Sequence, residues 1–189
     1  MIPTDNQIFS LWDKYHLPEI KRRHVQLVAD VSNYFSKRYK EKFGEGSINI
    51  LLVRAAALLH DIDKAAQILP GEHHPDACVR ILINEGMKEV ASVVASHPLH
   101  AILDPARSPK TPEEMFLFLA DKMVKHEIIS VDRRFALWKK EKPKSDILQV
   151  LTETYPRVKH LEQRVFRLLD INKSDIEQLA QREQVAYNG

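Results

Sequence analysis

A chain of 189 residues carrying 28 Lys and Arg against 26 Asp and Glu has a formal charge of only +2. Its length suits one domain with a small appendage, and its charge balance argues against a nucleic-acid coat or a membrane-surface protein. A lone cysteine, Cys78, excludes an internal disulfide framework and a cysteine-cluster zinc site.

The elements read as helical, because no segment sustains period-two alternation and only five glycines are available for tight turns. A short helix follows Thr4. A second opens near Pro18, which suits a first-turn position, and runs to Phe43 on a stripe of Leu27, Val28, Val31 and Phe35. Gly44 and Gly46 end it, and Ser47 is the expected N-cap of a third helix continuing through Gln67. That third segment is apolar nearly all round from Ile50 to Leu59, so it belongs at the centre of a bundle. After a turn at Pro70–Gly71, residues 72–86 form a helix closed by Gly86, and residues 87–97 form another that stops at Pro98.

Residues 98–111 carry Pro98, Pro105 and Pro109 and read as an ordered surface loop. Thr111-Pro112-Glu113-Glu114 joins a capping box to a first-turn proline and starts a helix through Ser130, with continuation toward Lys140. Pro143 closes the expected core domain over residues 1–142. In the extension over 143–189, Ile147, Leu151, Val158, Leu161, Val165 and Leu168 keep near-heptad spacing that Pro156 interrupts, and Ser174–Glu177 caps a last short helix. This stripe reads as core packing, with a homodimer seam or a lid as its alternative. The N-terminus has Asp5 and Asp13 and no signal-peptide core, and no stretch approaches the roughly 18–20 apolar residues of a membrane span. The expectation is a soluble cytoplasmic protein, with Cys78 a buried small apolar residue.

The chemistry begins at His60-Asp61. Such a pair at the end of an apolar helix is costly to bury without compensation, and a divalent metal supplies it. Imidazole with carboxylate suits iron, manganese, cobalt, nickel or zinc and disfavours calcium. Adjacent helical residues point about 100° apart, so the imidazole takes one ion while the carboxylate bridges to a second. His24 precedes Val28, Val31 and Phe35 by four, seven and eleven residues, which puts it on a buried stripe. Asp121, between Leu117–Phe118 and Val124–Ile128, also faces inward, where a lone carboxylate needs a cation. His74 begins one helix and His97 ends another, so both can converge on the same point.

The order His24…His60-Asp61…His74…His97…Asp121, with LLHDIDKA around the doublet and FLADKMVKHE around the last Asp, resembles the HD superfamily over about residues 15–140. The resemblance implies an all-α HD-domain helical bundle in which His24, His60, Asp61 and Asp121 are the defining ligands. His74 and His97 match members holding two divalent metals, in which the doublet's Asp bridges the ions and a bridging hydroxide attacks phosphorus. Lys64, three residues after Asp61, is implied to contact substrate phosphate and, with Asp61, to be catalytic. Arg23 and His100 are further substrate-binding candidates, although a solvated basic turn and an ordinary loop histidine are the plainer readings.

Two departures stand out: Ile62-Asp63-Lys64 replaces the generic Ile-Gly-Lys, and His73 adjoins His74. His74 is preferred because His-Pro opening a helix matches the family pattern. The layout is similar to bacterial HD hydrolases that split diadenosine tetraphosphate symmetrically, but PLHAILDPARSPK stands in place of their Gly/Arg-rich stretch. The expected function is a metal-dependent phosphohydrolase acting on a small phosphate substrate such as a nucleotide. A nucleotide-sensing module without turnover and a di-iron oxygenase are the alternatives.

Overall fold

The computed structural model describes residues 1–188, with side chains through Val185. Thr4 caps the first helix, α1 (Asp5–Lys14), in a reciprocal box with Gln7. Pro18 leads into α2 (Glu19–Phe43), which buries the expected Leu27, Val28, Val31 and Phe35 together with His24. The next helix starts later than its sequence suggests. Ser47 turns its hydroxyl back to the Gly44 carbonyl, and Asn49 caps α3 (Ile50–Leu59) by accepting from the Leu52 amide at 3.1 Å.

This third helix also stops earlier. His60 is its C-cap, and residues 62–65 form a separate 3-10 turn, Ile62–Ala65. Nothing in DIDKAAQ forbids a continuing helix, so the break has a tertiary cause: the doublet is needed where the helix ends. Val53, Ala55, Ala56, Ala57, Leu58 and Leu59 are all buried. α3 is indeed central, with α1, α2, α5 (Lys88–Ala95) and α6 (Pro112–Lys122) packed around it and α4 (Asp76–Asn84) paired with α5.

The loop over 98–111 contains a 3-10 turn, Leu99–Leu103. Thr111 and Glu114 form the capping box that opens α6. The expected run onward to Lys140 is broken: α6 ends at Lys122, Val124 and Ile128 pair across a tight reversal, and Ser130 caps a new helix, α7 (Val131–Lys140). Pro156 does not interrupt α8 (Ser145–Leu169). Pro156 and Thr152 both lie on the exposed face, so the carbonyl that loses its helical donor points toward water. The last helix, α9 (Lys173–Asn188), is longer than expected and begins earlier, with the Asn172 side chain accepting from the Ser174 amide and Asp175 from the Asn172 amide.

Leu151, Val158, Leu161, Val165 and Leu169 of α8, with Ile176 and Leu179 of α9, join the same hydrophobic core as Val28, Phe35 and Phe116. The C-terminal extension therefore completes the core. Among the described residues no helix is long and apolar enough to cross a membrane.

One half-buried acid on α2 faces α9. Burial, followed by the charge of Glu183, pushes the Asp30 carboxyl up to about 6, against the opposing pull of Arg54 and Arg23. A folded value above the unfolded one means that the folded chain holds the proton more tightly. This contribution to stability is present in acid and is lost as pH rises from about 4 to about 6. Asp30→Asn is expected to remove that loss and to raise the melting temperature relative to the parent at pH 7. Thermal denaturation of both chains across pH 4–8 checks it, and parallel curves would contradict it.

Candidate metal centre

Six segments bring side chains to one point. His24 comes from the first turns of α2, His60 and Asp61 from the end of α3, and Asp63 from the 3-10 turn that follows. His74 precedes α4, His97 follows α5, and Asp121 lies near the end of α6. The ends of α3 and α5 use the same device. Carbonyls in the last turn of a helix lack the usual i+4 helical donor and have a lone pair free for a side chain. His60 turns its ring back so that Nδ1 donates to the Ala57 carbonyl at 2.8 Å, and His97 donates from Nδ1 to Val94 at 2.6 Å.

The other two imidazoles are held comparably. His74 Nδ1 donates to both carboxylate oxygens of buried Asp63, at 2.9 and 3.0 Å. His24 Nδ1 faces the Lys125 carbonyl at 3.4 Å. Carbonyls and carboxylates only accept, so each contact places the ring proton on Nδ1 and turns an Nε2 lone pair inward. The four Nε2 atoms then crowd together with carboxylate oxygens. His24 Nε2 lies 3.1 Å and His60 Nε2 3.5 Å from Asp121 Oδ1. His74 Nε2 is 2.9 Å from His97 Nε2 and 3.7 Å from Asp61 Oδ1.

Acceptors facing acceptors at these separations repel unless a positive charge lies between them. His60 Nε2 is buried without a hydrogen-bond partner. Three sets of donor atoms, His24/His60/Asp121, His60/Asp61/His97 and Asp61/Asp63/His74, each lie within 4.8 Å of one another. This cluster of imidazoles and carboxylates is compatible with divalent transition-metal binding.

Lysines balance the carboxylates. Lys21 Nζ is 2.9 Å from Asp61 Oδ2 and Lys64 Nζ 3.4 Å from Asp61 Oδ1. Lys122, buried to 3% exposure, donates to Asp121 and to the His97 carbonyl, the latter at 2.8 Å. Burial alone would raise Asp61, but His60, Lys64 and Lys21 outweigh it and hold the carboxyl far below its ordinary range. Asp121 behaves likewise: burial is overcome by Lys122, His24 and His60. Burial disfavours the charged form of His60, yet Asp61 and Asp121 lift it above the ordinary imidazole value. His97 goes the opposite way, pushed well down by burial and by the charges of His60 and Lys122.

The cluster forms the floor of an open cavity of about 460 Å³, walled by Ile20, Leu99, Lys125, Arg134 and Trp138. All six sequence-derived ligand candidates meet there. His74 is the member of its pair that faces the cluster, whereas His73 is exposed. Lys64 reaches Asp61 from the 3-10 turn, not from a shared α-helical face. His100 lines the cavity from an exposed position.

Arg23 is a correction. It does not line the cavity; its charge acts on Asp30, two helical turns further along α2. Adjacent residues on a helix point in different directions, and the position that shares the His24 face is Lys21, three residues before it.

Lys21, Asp63, Lys122 and Arg134 were not read from the sequence as site residues. Asp63 had a signal, since it occupies the glycine position of the generic doublet motif. Lys122 had one too, as a charge directly after Asp121 in an apolar helix. Arg134 had none, because the reversal that swings α7 to the cavity is not written in local pattern.

The family model of the HD domain matches residues 22–125, more than half of the chain. No curated protein matches the chain, and no solved structure does.

In chelator-treated protein, His60 is expected to titrate above the ordinary imidazole range while His97 remains neutral well below it. Two-dimensional ¹H–¹⁵N spectra of the imidazoles over pH 4.5–8.5 test this. Equal midpoints for the two rings would refute the electrostatic picture.

Proposed function

The chain belongs to the HD domain family, and on that premise we propose that it is a metal-dependent phosphohydrolase acting on a nucleotide or small phosphodiester. One observation carries the reading: four imidazoles give their Nδ1 protons to outward acceptors and direct Nε2 at a shared point lined by Asp61 and Asp121. Iron, manganese, cobalt, nickel and zinc all suit such a donor set.

In this reading His24, His60, Asp61 and Asp121 would hold one ion, and Asp61, His74 and His97 would hold a second. When bound, two such cations supply an activated water and a clamp on the phosphoryl oxygens. The protein's part is positioning. Asp61, whose carboxylate groups both with His60 and His97 and with His74, would serve both positions. Asp63 fixes the tautomer and orientation of His74, the role of a carboxylate behind a metal-binding imidazole. Lys122 braces Asp121 against the end of α5 through the His97 carbonyl. Lys64 and Lys21 border the open side of Asp61 and place positive charge where phosphoryl oxygens gather charge during displacement. The cavity's 460 Å³ falls within the roughly 300–1,000 Å³ of small-molecule sites.

The metal-reconstituted protein is expected to contain about two transition-metal ions per chain by elemental analysis and to hydrolyse bis-p-nitrophenyl phosphate or members of a nucleotide panel. Several kcal/mol of phosphoryl charge stabilisation depend on Asp61, so Asp61→Ala should lower activity by about 10³-fold with the fold retained. An unchanged rate would falsify the assignment.

Asp63→Ala is expected to weaken metal binding about 10–100-fold by chelator competition. Parent-like affinity would remove Asp63 from the site.

A further inference from the structure

Five cationic side chains, apart from histidines, line the cavity, and four already have a carboxylate. Lys21 and Lys64 lie against Asp61, Lys122 against Asp121, and Lys125 against Glu141 at 2.6 Å. Arg134 of α7 differs. Among the described residues, no carboxylate comes within ion-pair distance of its guanidinium, and its Nε is buried without a hydrogen-bond partner.

Arg134 is nevertheless held in place. Trp138, one helical turn on, presents its ring 4.2 Å from the guanidinium carbon. Stacking of this kind fixes the plane of the side chain while satisfying none of its N–H groups. Burial works against the charge, which is favoured only through the more distant carboxylates of Asp121, Glu141 and Asp61. A guanidinium cannot shed its proton in a protein, so a half-buried one facing a cavity without a counter-ion is an incomplete interaction. The missing partner is an anion with paired oxygens, which matches the planar donor fork.

We propose that Arg134 binds an oxyanion of the substrate, through two N–H donors to a phosphoryl group, and that Trp138 is the residue that positions it. Calling the anion a phosphoryl group rests on the phosphohydrolase reading; the need for an anion does not. This assignment makes Arg134 a principal phosphate contact on the α7 wall, distinct from the lysines already engaged with Asp61 and Asp121.

Inorganic phosphate is the probe. Calorimetric titration compares the parent, Arg134→Gln and Arg134→Lys, each as chelator-treated and as manganese-loaded protein, with metal content and melting temperature measured alongside. The expected result is phosphate affinity at least about tenfold weaker in Arg134→Gln in both states, with Arg134→Lys intermediate because it keeps the charge without the fork. Metal content should match the parent.

Parent-like affinity in Arg134→Gln overturns the proposal, as does a parent chain that binds no phosphate in either state. Phosphate binding that requires manganese and ignores Arg134 also overturns it, yet leaves the hydrolase reading intact. Arg134-dependent phosphate binding by a chain that neither takes up metal nor hydrolyses phosphate esters upholds the proposal and sinks the hydrolase reading.

Discussion

The site depends on where four protons sit. His24, His60, His74 and His97 each present Nδ1 to an oxygen that can only accept, and each ring is thereby fixed in tautomer and orientation. Two of those oxygens are carbonyls at the ends of α3 and α5, Ala57 and Val94, the latter also accepting the His97 backbone amide at 3.1 Å. The secondary structure therefore stops where it does for a reason that is chemical as much as conformational.

The cost of concentrating Asp61, Asp63 and Asp121 in the interior is met by cations in different settings. Lys122 is fully enclosed, lies 4.8 Å from the centre of the Phe118 ring, and joins two helices as well as neutralising Asp121. Lys21 and Lys64 are partly exposed and approach Asp61 from the open side. Enclosed charge of this kind is destabilising unless its partners are fixed, and here Lys122 adjoins Asp121 on α6, Lys64 follows Asp61 in the 3-10 turn, and Lys21 reaches Asp61 from α2. The field that lifts His60 above its ordinary value is the same field that would hold a divalent ion at its Nε2.

Much of this arrangement was legible in the sequence. His60-Asp61 at the end of an apolar run, His24 on the stripe of α2 and Asp121 among Leu117 and Phe118 were all readable, because burial follows helical period and a buried charge demands compensation. Thr111 and Glu114 announced α6 through local hydrogen bonding alone. What could not be read was set by contacts distant in sequence. The end of α3 at Leu59 is imposed by the convergence of His60 with residues from α5 and α6. The reversal at Val124–Ile128 separates α6 from α7, although the residues there carry no proline or glycine. Arg23 and Lys21 look equivalent in composition, and only the rotation of α2 about its axis separates a residue facing Asp61 from one acting on Asp30.

The reversal after Lys122 has an architectural consequence. The metal-compatible floor is drawn from α2 through α6, but Arg134 and Trp138 stand on α7, beyond the stretch matched to the HD domain. That helix is fastened to α8, where Tyr155 and Lys159 both grip Asp132, at 2.6 and 2.9 Å. The His/Asp floor and the α7 wall of the cavity are thus carried on separate mounts. On the proposed function, selectivity would be an attachment to the metal-compatible cluster, open to redesign by altering α7 and its fastening while the His/Asp cluster stays as it is.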